Sequence, residues 1–158
     1  MESIEQIFAQ MIKTDPTLQT AMQESQLQNL PIPLPEAVKE TIAKYPVKIQ
    51  LSEFFVGVYW PDQYYTQGKI VMGEISHLLG GATGANGLQG LWFNPVNQLL
   101  IPDDIFLIKS FTDTQGLIDN FAKLIERVCY WGRICNQSVI AVEIGSLLGS
   151  IMIFISVP

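Results

Sequence analysis

The pattern of apolar and polar positions predicts a β-hairpin followed by a helix in the second half of the chain. Two strand-like apolar runs, Leu88–Phe93 and Leu99–Phe111, flank Asn94-Pro95-Val96-Asn97, a sequence typical of a tight turn. The next segment repeats apolar residues at intervals of three and four, which is the spacing of one helix face. These residues are Leu117, Phe121, Leu124, Val128 and Trp131, with Ile118 and Ile125 widening the stripe.

The segments on either side complete an alternating order of strands and helices. A strand is predicted after Val47, with a change of phase at Ser52-Glu53 that indicates either a bulge or a strand start at Glu53. A helix follows from about Gln67 to Leu79, and another strand covers Gln137–Glu143. The order is βαββαβ. We therefore predict an α+β fold, a ferredoxin-like antiparallel sheet with two helices on one face.

Local features set the expected limits of these elements. The glycine-rich stretch Gly80–Gly87 predicts the end of the first helix and a loop leading to the hairpin. Thr112 or Asp113 caps the second helix, and Gly132 ends it. Beyond the last predicted strand, Ile151–Ile155 either continues that strand past a bend or folds back as a hairpin.

The first third of the chain has a different pattern. Residues 1–46 contain short helical stretches around the alternating prolines of Leu30–Pro35, which favour an extended spacer. We predict a helical arm over 1–46 and the ferredoxin-like domain over 47–158. Two interpretations of the arm stay open, since it can pack on its own domain or on another chain.

The composition favours a protein partner and argues against binding to nucleic acid. Of the 158 residues 48% are hydrophobic and 15% are charged, against about 25% charged in a typical domain. The shortage of charge leaves apolar surface to cover, so we expect a protein partner or a homo-oligomer. The net charge is −6 and the basic residues are scattered, which argues against nucleic acid and anionic membrane surfaces.

The cysteines and the apolar C-terminal segment indicate in which cell compartment the protein is expected. Cys129 and Cys135 lack the spacing of a metal site, and the chain has a single histidine. Val139–Val157 is apolar, but glycines and serines interrupt it, as in strands rather than a spanning helix. The acidic N-terminus does not resemble a signal peptide. We expect a cytoplasmic protein with reduced thiols, no metal and no cofactor.

Candidate chemistry is sparse. The stretch Gly80–Gly87 follows a helix, whereas a phosphate cradle precedes one. Glu74 and His77 share a helix face and are a possible acid–base pair, although a surface histidine is the simpler interpretation. Glu143 is the single charge in the closing apolar segment. It either faces solvent on the open side of the sheet or pairs with Lys109 on a neighbouring strand, and a structural role of this kind is favoured over a catalytic one. We therefore predict no catalytic residue.

A cluster of aromatic residues is the strongest candidate for a binding surface. Tyrosine and tryptophan near a loop are typical of interfaces, although core and edge packing is the favoured interpretation of these residues. The cluster consists of Tyr59, Trp60, Tyr64 and Tyr65, together with Trp92 on the hairpin.

Part of the chain resembles an uncharacterised bacterial family of small ferredoxin-like proteins. The resemblance is carried by Gly90-Leu91-Trp92 before Asn94-Pro95, by Ile105–Ile108, and by Asn136-Gln137-Ser138-Val139 after the second helix. It covers about residues 53–143, and Asn136 stands where the family tends to have glycine. The resemblance implies the βαββαβ fold and implies no activity.

Two functions are consistent with these observations. The first is a non-enzymatic protein-interaction or regulatory module, which acts through the sheet face, the arm and the aromatic cluster. The alternative is a small-molecule-binding protein or enzyme with a pocket between sheet and helices, using aromatics with His77, Glu74 or Glu143. Low charge and the lack of a catalytic motif favour the first.

Overall fold

A computed structural model describes residues 27–30, 33–45 and 52–158. The chain divides into two compact units, Met1–Leu51 and Ser52–Pro158. In the first unit, helix α1 covers Glu36–Ala43 and begins directly after Pro35, a residue that suits a helix start. The predicted domain boundary at 46/47 and most of the predicted arm lie outside the described residues, so the two interpretations of the arm stay predictions.

The second unit alternates strands and helices. In chain order, its elements are β1 (Phe54–Pro61), a 3-10 turn (Asp62–Tyr64), α2 (Tyr65–Leu79), β2 (Thr83–Asn94), β3 (Leu99–Thr112), α3 (Thr114–Ile134), β4 (Val139–Ser146) and β5 (Gly149–Ser156).

Among the described residues, five strands form one antiparallel sheet in the order β2-β3-β1-β4-β5. This confirms the α+β class. The fifth strand and helix α1 depart from a simple βαββαβ unit. The extra strand arises because the chain reverses after Ser146 and Gly149 adopts a φ of 140°, so the closing apolar segment folds back as a hairpin.

The core lies between one face of this sheet and helices α2 and α3. Alternate residues of β1 point into it, and Trp60 at the end of the strand is 0% exposed. The predicted helix stripes are confirmed at Val71 and Ile75 in α2 and at Leu124 and Val128 in α3. Ile118 is 68% exposed, so the stripe of α3 is narrower than predicted.

The helix ends follow the predicted caps in part. Gly80 adopts a φ of 88° and ends α2, and the Asp113 carboxylate accepts a 2.7 Å hydrogen bond from Gly116 N at the start of α3. The prediction that Gly132 ends α3 is wrong, since the helix continues to Ile134. A Cβ at Gly132 would lie 2.6 Å from Ile140 Cδ1, so this glycine is needed for close packing on β4.

Helices α2 and α3 are joined by a charged contact. Arg127 donates two hydrogen bonds to the Glu74 carboxylate, from Nε at 2.9 Å and from Nη2 at 2.8 Å. Trp131 Nε1 donates a third, at 3.2 Å to Glu74 Oε1. The bidentate geometry fixes the relative position of the two helices.

The β2–β3 hairpin is longer than predicted and bends across the sheet. Strand β2 begins at Thr83, inside the predicted glycine loop, and only the Ile105–Thr112 part of β3 pairs with β1. Trp92 of β2 and Phe154 of β5 lie on opposite edges, which are about 19 Å apart in a flat sheet. Their ring centroids are nevertheless 6.0 Å apart. The free end of the hairpin therefore curls over the face that the helices leave open.

A register shift explains where the curl begins. The pairing of β2 with β3 slips between Ala85 and Leu88, as in a β-bulge, and bulges increase the local twist of a strand. Within the described part of the chain, no helix is both long and apolar enough to cross a membrane.

Candidate functional site

The sheet face opposite the helices carries polar and aromatic side chains on its central strands. We call this surface the open face. Phe55, Gly57 and Tyr59 of β1 lie on it, because their neighbours Val56, Val58 and Trp60 point into the core. The cross-strand partners of these three residues are Phe111, Lys109 and Leu107 on β3, and Gly145, Glu143 and Ala141 on β4.

Tyr59 and Glu143 form a hydrogen-bonded pair at the centre of the open face. The Tyr59 hydroxyl donates to Glu143 Oε2 at 2.8 Å. Burial, the hydrogen bond and the negative charge of Glu143 together raise the pKa of Tyr59 to about 12. The phenol therefore keeps its proton at neutral pH. Among the described residues, Glu143 Oε1 has no hydrogen-bond partner.

Lys109 and Glu143 lie on either side of Gly57. Both are register partners of this glycine, one on β3 and the other on β4, so their backbones are about 10 Å apart. Of the two structural roles expected for Glu143, the pair with Lys109 is therefore wrong, because β1 runs between the two strands, and Glu143 lies on the open side of the sheet. Lys109 Nζ instead lies 3.9 Å from the ring centroid of Phe55.

Two glycines shape the floor of the open face. A Cβ on Gly145 would overlap the Phe55 ring, so that ring lies against the β4 backbone. A Cβ on Gly57 would lie 3.6 Å from both Glu143 Cβ and Leu107 Cδ1. It would also lie 3.7 Å from Glu143 Oε2, so the side chains of Glu143 and Leu107 cover Gly57, which is buried.

The bent hairpin forms a wall beside this floor. Trp92 and Phe154 meet edge to face, with an interplanar angle of 82°. Phe154 pairs in register with Ala141, which is itself the partner of Tyr59. The aromatic contact is therefore in the same row of the sheet as the Tyr59 phenol.

The structure divides the predicted aromatic cluster between the two faces. Tyr59 and Trp92 lie on the open face. Trp60 is buried in the core, where its Nε1 donates a 3.0 Å hydrogen bond to the Tyr64 carbonyl. Tyr65 packs edge-on against Phe106, with centroids 4.8 Å apart. Binding by these residues stays a prediction.

Glu74 and His77 do not form the acid–base pair considered from the sequence. The Glu74 carboxylate is engaged by Arg127, whose hydrogen bond is the main reason that the pKa of Glu74 is lowered. His77 is exposed on α2. Glu74 thus joins two helices. Glu74 and His77 are therefore not a candidate catalytic pair.

The cysteines and acidic residues show no metal site in the described part of the chain, where no group of three or more His, Cys, Asp or Glu residues could hold an ion. Cys129 and Cys135 are both free, and burial raises the pKa of the Cys135 thiol. Core side chains, among them Trp60 and Phe106, pack between the sheet and the helices.

Two solved structures have a similar fold. They are phage SAM lyase in complex with S-methyl-5'-thioadenosine and phage SAM lyase in the apo state. Both have a TM-score of 0.50 and cover 70% of this chain. The complex is 10% identical with 94% of its own chain covered, and the apo structure is 14% identical with 95% covered.

These likenesses show the fold alone. No protein-family model and no curated protein matches the chain. The similar structures nonetheless belong to an enzyme, which contradicts the expected non-enzymatic interaction module. They favour the alternative, a small-molecule-binding protein or enzyme.

Proposed function

We propose that the protein is a small-molecule-binding protein or enzyme whose site is the open face around Tyr59 and Glu143. The observation that carries the proposal is their hydrogen bond on a sheet face that the helices do not cover. It holds a carboxylate in a fixed orientation and leaves Oε1 available to a ligand. This location differs from the one expected from the sequence, a pocket between sheet and helices, where the core side chains pack.

The candidate ligand is a nucleoside of the S-methyl-5'-thioadenosine type. The fold likeness supports this choice, because that compound is bound in one of the similar structures. The side chains of the open face fit its chemistry: Trp92 and Phe154 offer ring surfaces for a base, and Glu143 Oε1 can accept hydrogen bonds from ribose hydroxyls. Lys109 supplies a donor on the other side of Gly57.

The Tyr59–Glu143 pair also has the components of acid–base chemistry. The single phenol proton of Tyr59 is donated to Glu143, so Glu143 Oε1 is the atom of the pair that can accept a hydrogen bond or a proton from a ligand. Glu143 is the acceptor through which the phenol proton is oriented. Turnover would make the protein an enzyme, and binding without turnover would make it a binding protein.

Titration calorimetry with S-methyl-5'-thioadenosine tests the binding site. We expect Glu143→Gln to weaken binding at least tenfold, because a hydrogen bond to a charged group contributes about 1.5–3 kcal/mol. Tyr59→Phe should weaken it less, since it removes only the group that orients the carboxylate. Tyr130→Phe, on the exposed side of α3, is the matched control and should bind as the wild type does. Undetectable binding to the wild type, or full affinity of Glu143→Gln, would contradict the proposal.

Incubation with SAM tests for turnover. Chromatography of the reaction mixture measures loss of SAM and appearance of S-methyl-5'-thioadenosine, with the Glu143→Gln protein as control. Turnover by the wild type alone supports an enzyme. Binding without turnover in either protein supports a binding protein.

We also propose that the first four strands of the second unit, with α2 and α3, are a ferredoxin-like unit. The order β2-β3-β1-β4 with a helix after β1 and another after β3 supports this assignment. Strand β5 then extends that unit at one edge. An experimental structure in which β4 does not pair with β1 would contradict it.

A further inference from the structure

Strand β5 forms one edge of the sheet. It pairs with β4, and no strand in the described part of the chain pairs with its other side. Val157 N donates a 2.8 Å hydrogen bond to the carbonyl of Ser138, which lies directly opposite in the continued register. Hydrogen-bonded pairs alternate along an antiparallel ladder, so odd-numbered residues of β5 direct their backbone groups to β4. The even-numbered residues direct theirs away from the sheet, and they are Ser150, Met152, Phe154 and Ser156.

This edge lacks the features that keep an edge strand from pairing with another chain. Such features are charged side chains, prolines, bulges or a very short strand. Strand β5 has eight residues, Gly149–Ser156, with no charge and no proline, and its register with β4 has no shift. At the opposite edge of the sheet, the pairing of β2 slips between Ala85 and Leu88. The edge at β5 can therefore accept a further strand, which would pair with its outward N–H and C=O groups.

The sequence of β5 indicates which strand fits. Residues 150–156 read Ser-Ile-Met-Ile-Phe-Ile-Ser, which is nearly the same in both directions about Ile153. An antiparallel pair of two copies with a two-fold axis at Ile153 therefore places like residues opposite each other. The facing residues are Ile153 with itself, Ser150 with Ser156, Ile151 with Ile155, and Met152 with Phe154. The last pair is a favourable contact between sulfur and an aromatic ring.

The backbone selects the same register. Residues directly opposite each other must point to the same face of the sheet, so the axis has to pass through a residue. With the axis at Ile153, all the outward-directed residues of both copies form hydrogen-bonded pairs, which gives about eight hydrogen bonds. An axis at Met152 or at Phe154 leaves one outward-directed residue of each copy beyond the end of the partner strand, which gives about six. The register that matches the side chains is thus also the one that pairs the most backbone groups.

We propose that two copies of the chain pair antiparallel through β5, with the two-fold axis at Ile153. The contact is the same on both copies, so it closes as a dimer and does not extend into a chain. The axis is perpendicular to the sheet, so the open faces of the two copies lie on the same side of one continuous sheet. The proposal is independent of any ligand on the open face.

Light scattering of the full chain after size-exclusion chromatography tests the contact. We expect the wild type to have twice the chain mass of 17.7 kDa. Ile153→Glu and Ile153→Lys should each give the single-chain mass, because each places two like charges directly opposite one another at the axis. Ile118→Glu, at an exposed apolar position on α3, is the control and should keep the dimer mass. Circular dichroism verifies that each variant is folded.

Mixing the two charged variants tests the register. Position 153 faces its own copy only when the axis passes through it, so an equimolar mixture of Ile153→Glu and Ile153→Lys should restore the dimer through opposite charges. An axis at Met152 or at Phe154 places position 153 opposite Ile151 or Ile155, and it predicts no such recovery.

A second pair of variants covers the case in which a charge at the half-buried Ile153 unfolds the chain. Ser150 and Ser156 are exposed and face each other at both ends of the proposed pair. The double variant Ser150→Glu/Ser156→Glu and the double variant Ser150→Lys/Ser156→Lys should each be single chains, and their mixture should form the dimer. A wild type of single-chain mass, as expected if the edge pairs only with a strand of another protein, would overturn the proposal. Folded variants that keep the dimer mass, or mixtures that stay at the single-chain mass, would overturn it as well.

Discussion

Tyr59 and Trp60 are adjacent in sequence, yet they point to opposite sides of the sheet. Trp60 faces the helices and is completely buried, whereas Tyr59 faces the open side and contacts Glu143. Alternation along a strand separates such neighbours. The aromatic residues that are clustered in the sequence therefore separate in space. Trp60 packs in the core, and Tyr59 lies on the open face.

We predict that one tyrosine of the protein titrates at about pH 12. Burial and the Glu143 carboxylate raise the pKa of Tyr59 to that value, against about 10 for an ordinary phenol. Ultraviolet absorbance of the phenolate measures the titration, and the difference between wild type and Tyr59→Phe isolates this residue. In Glu143→Gln the pKa of Tyr59 should fall toward 10. Titration of Tyr59 at an ordinary pH in the wild type would contradict the pair.

The same pKa shift predicts a loss of stability in strong base. The pKa of Tyr59 is higher in the folded state than in the unfolded state, so its contribution is complete below about pH 10. It is lost as the pH rises from there through about 12. Urea unfolding at several pH values should show a steeper decline above pH 10 in the wild type than in Tyr59→Phe.

At the scale of elements, helix α2 approaches the sheet through a glycine. A Cβ on Gly68 would lie 2.7 Å from Trp60 Cδ1 and from Phe106 Cδ1, whereas a Cβ on Gly73 meets nothing within 4 Å. Both glycines lie in the interior of α2. The first is needed for contact with the core, and the second only weakens the helix.

These two positions give opposite predictions for the same substitution. Gly68→Ala should lower the free energy of unfolding by about 1–3 kcal/mol because the core is overpacked. Gly73→Ala should raise it by about 1 kcal/mol, the difference in helix propensity. Urea denaturation of the two variants and the wild type measures both effects. Equal effects at the two sites would contradict the packing of α2 on Trp60.

The stability that the contact between α2 and α3 contributes should depend on pH. Because the pKa of Glu74 is lowered in the folded state, its contribution to stability is present above the unfolded-state value near 4.5. That contribution is lost as the pH falls through the folded-state value. We expect Glu74→Gln to melt at a lower temperature than the wild type at pH 7, with the difference shrinking in acid.

Glu126→Gln is the control for this measurement. Glu126 is also paired, with Lys123, but on the exposed side of α3. Exposed pairs contribute little to stability, so its melting temperature should stay close to the wild-type value. Equal losses in the two variants would contradict the role of Glu74 as the residue that joins α2 and α3.

The elements that can be predicted from the sequence are those whose pattern lies in residues close together along the chain. The 3.6-residue apolar period predicts α3 and the residues Asn94–Asn97 predict the turn, in both cases from neighbouring positions in the sequence. The structure confirms this helix and this hairpin. Strand β2 was predicted to start late because Gly84 and Gly87 favour a loop. Its early residues are strand because they pair with Lys109, Ile108 and Leu107, a contact with distant positions that local pattern does not contain.

The same reasoning applies to the candidate site. Tyr59 and Trp92 could be named from the sequence because aromatic residues near a loop are a local signal. The position of Glu143 beside Tyr59, and of Lys109 beyond Gly57, depends on β1 lying between β3 and β4. That order is set by packing of the whole sheet, so the predicted pair of Lys109 with Glu143 joined the wrong neighbours.

At the scale of the whole molecule, the bend of the hairpin depends on few contacts. Residues Leu99–Asp104 pair with β2 alone, and the Trp92–Phe154 contact joins the free end of the hairpin to β5. A segment with so few contacts opens at a low free energy. The contact of Trp92 is therefore expected to control how often the hairpin lifts from the sheet.

Hydrogen exchange measures this opening. We predict that Trp92→Ala accelerates amide exchange several-fold in Leu88–Asp104 and leaves the central strand β1 unchanged. Val96→Ala is the control, because Val96 is fully outside the sheet in the turn. Unchanged exchange in Trp92→Ala would contradict the bend, as would accelerated exchange of β1.

The bend also determines the route by which a molecule reaches Tyr59. On the side where the hairpin meets β5, the rings of Trp92 and Phe154 touch and leave no passage for a planar base. Lys109 belongs to the neighbouring row of the open face, beside Gly57, and its Nζ lies over the Phe55 ring. A molecule that approaches the Tyr59 hydroxyl from this side passes the ammonium of Lys109, whose positive charge attracts an anion and repels a cation.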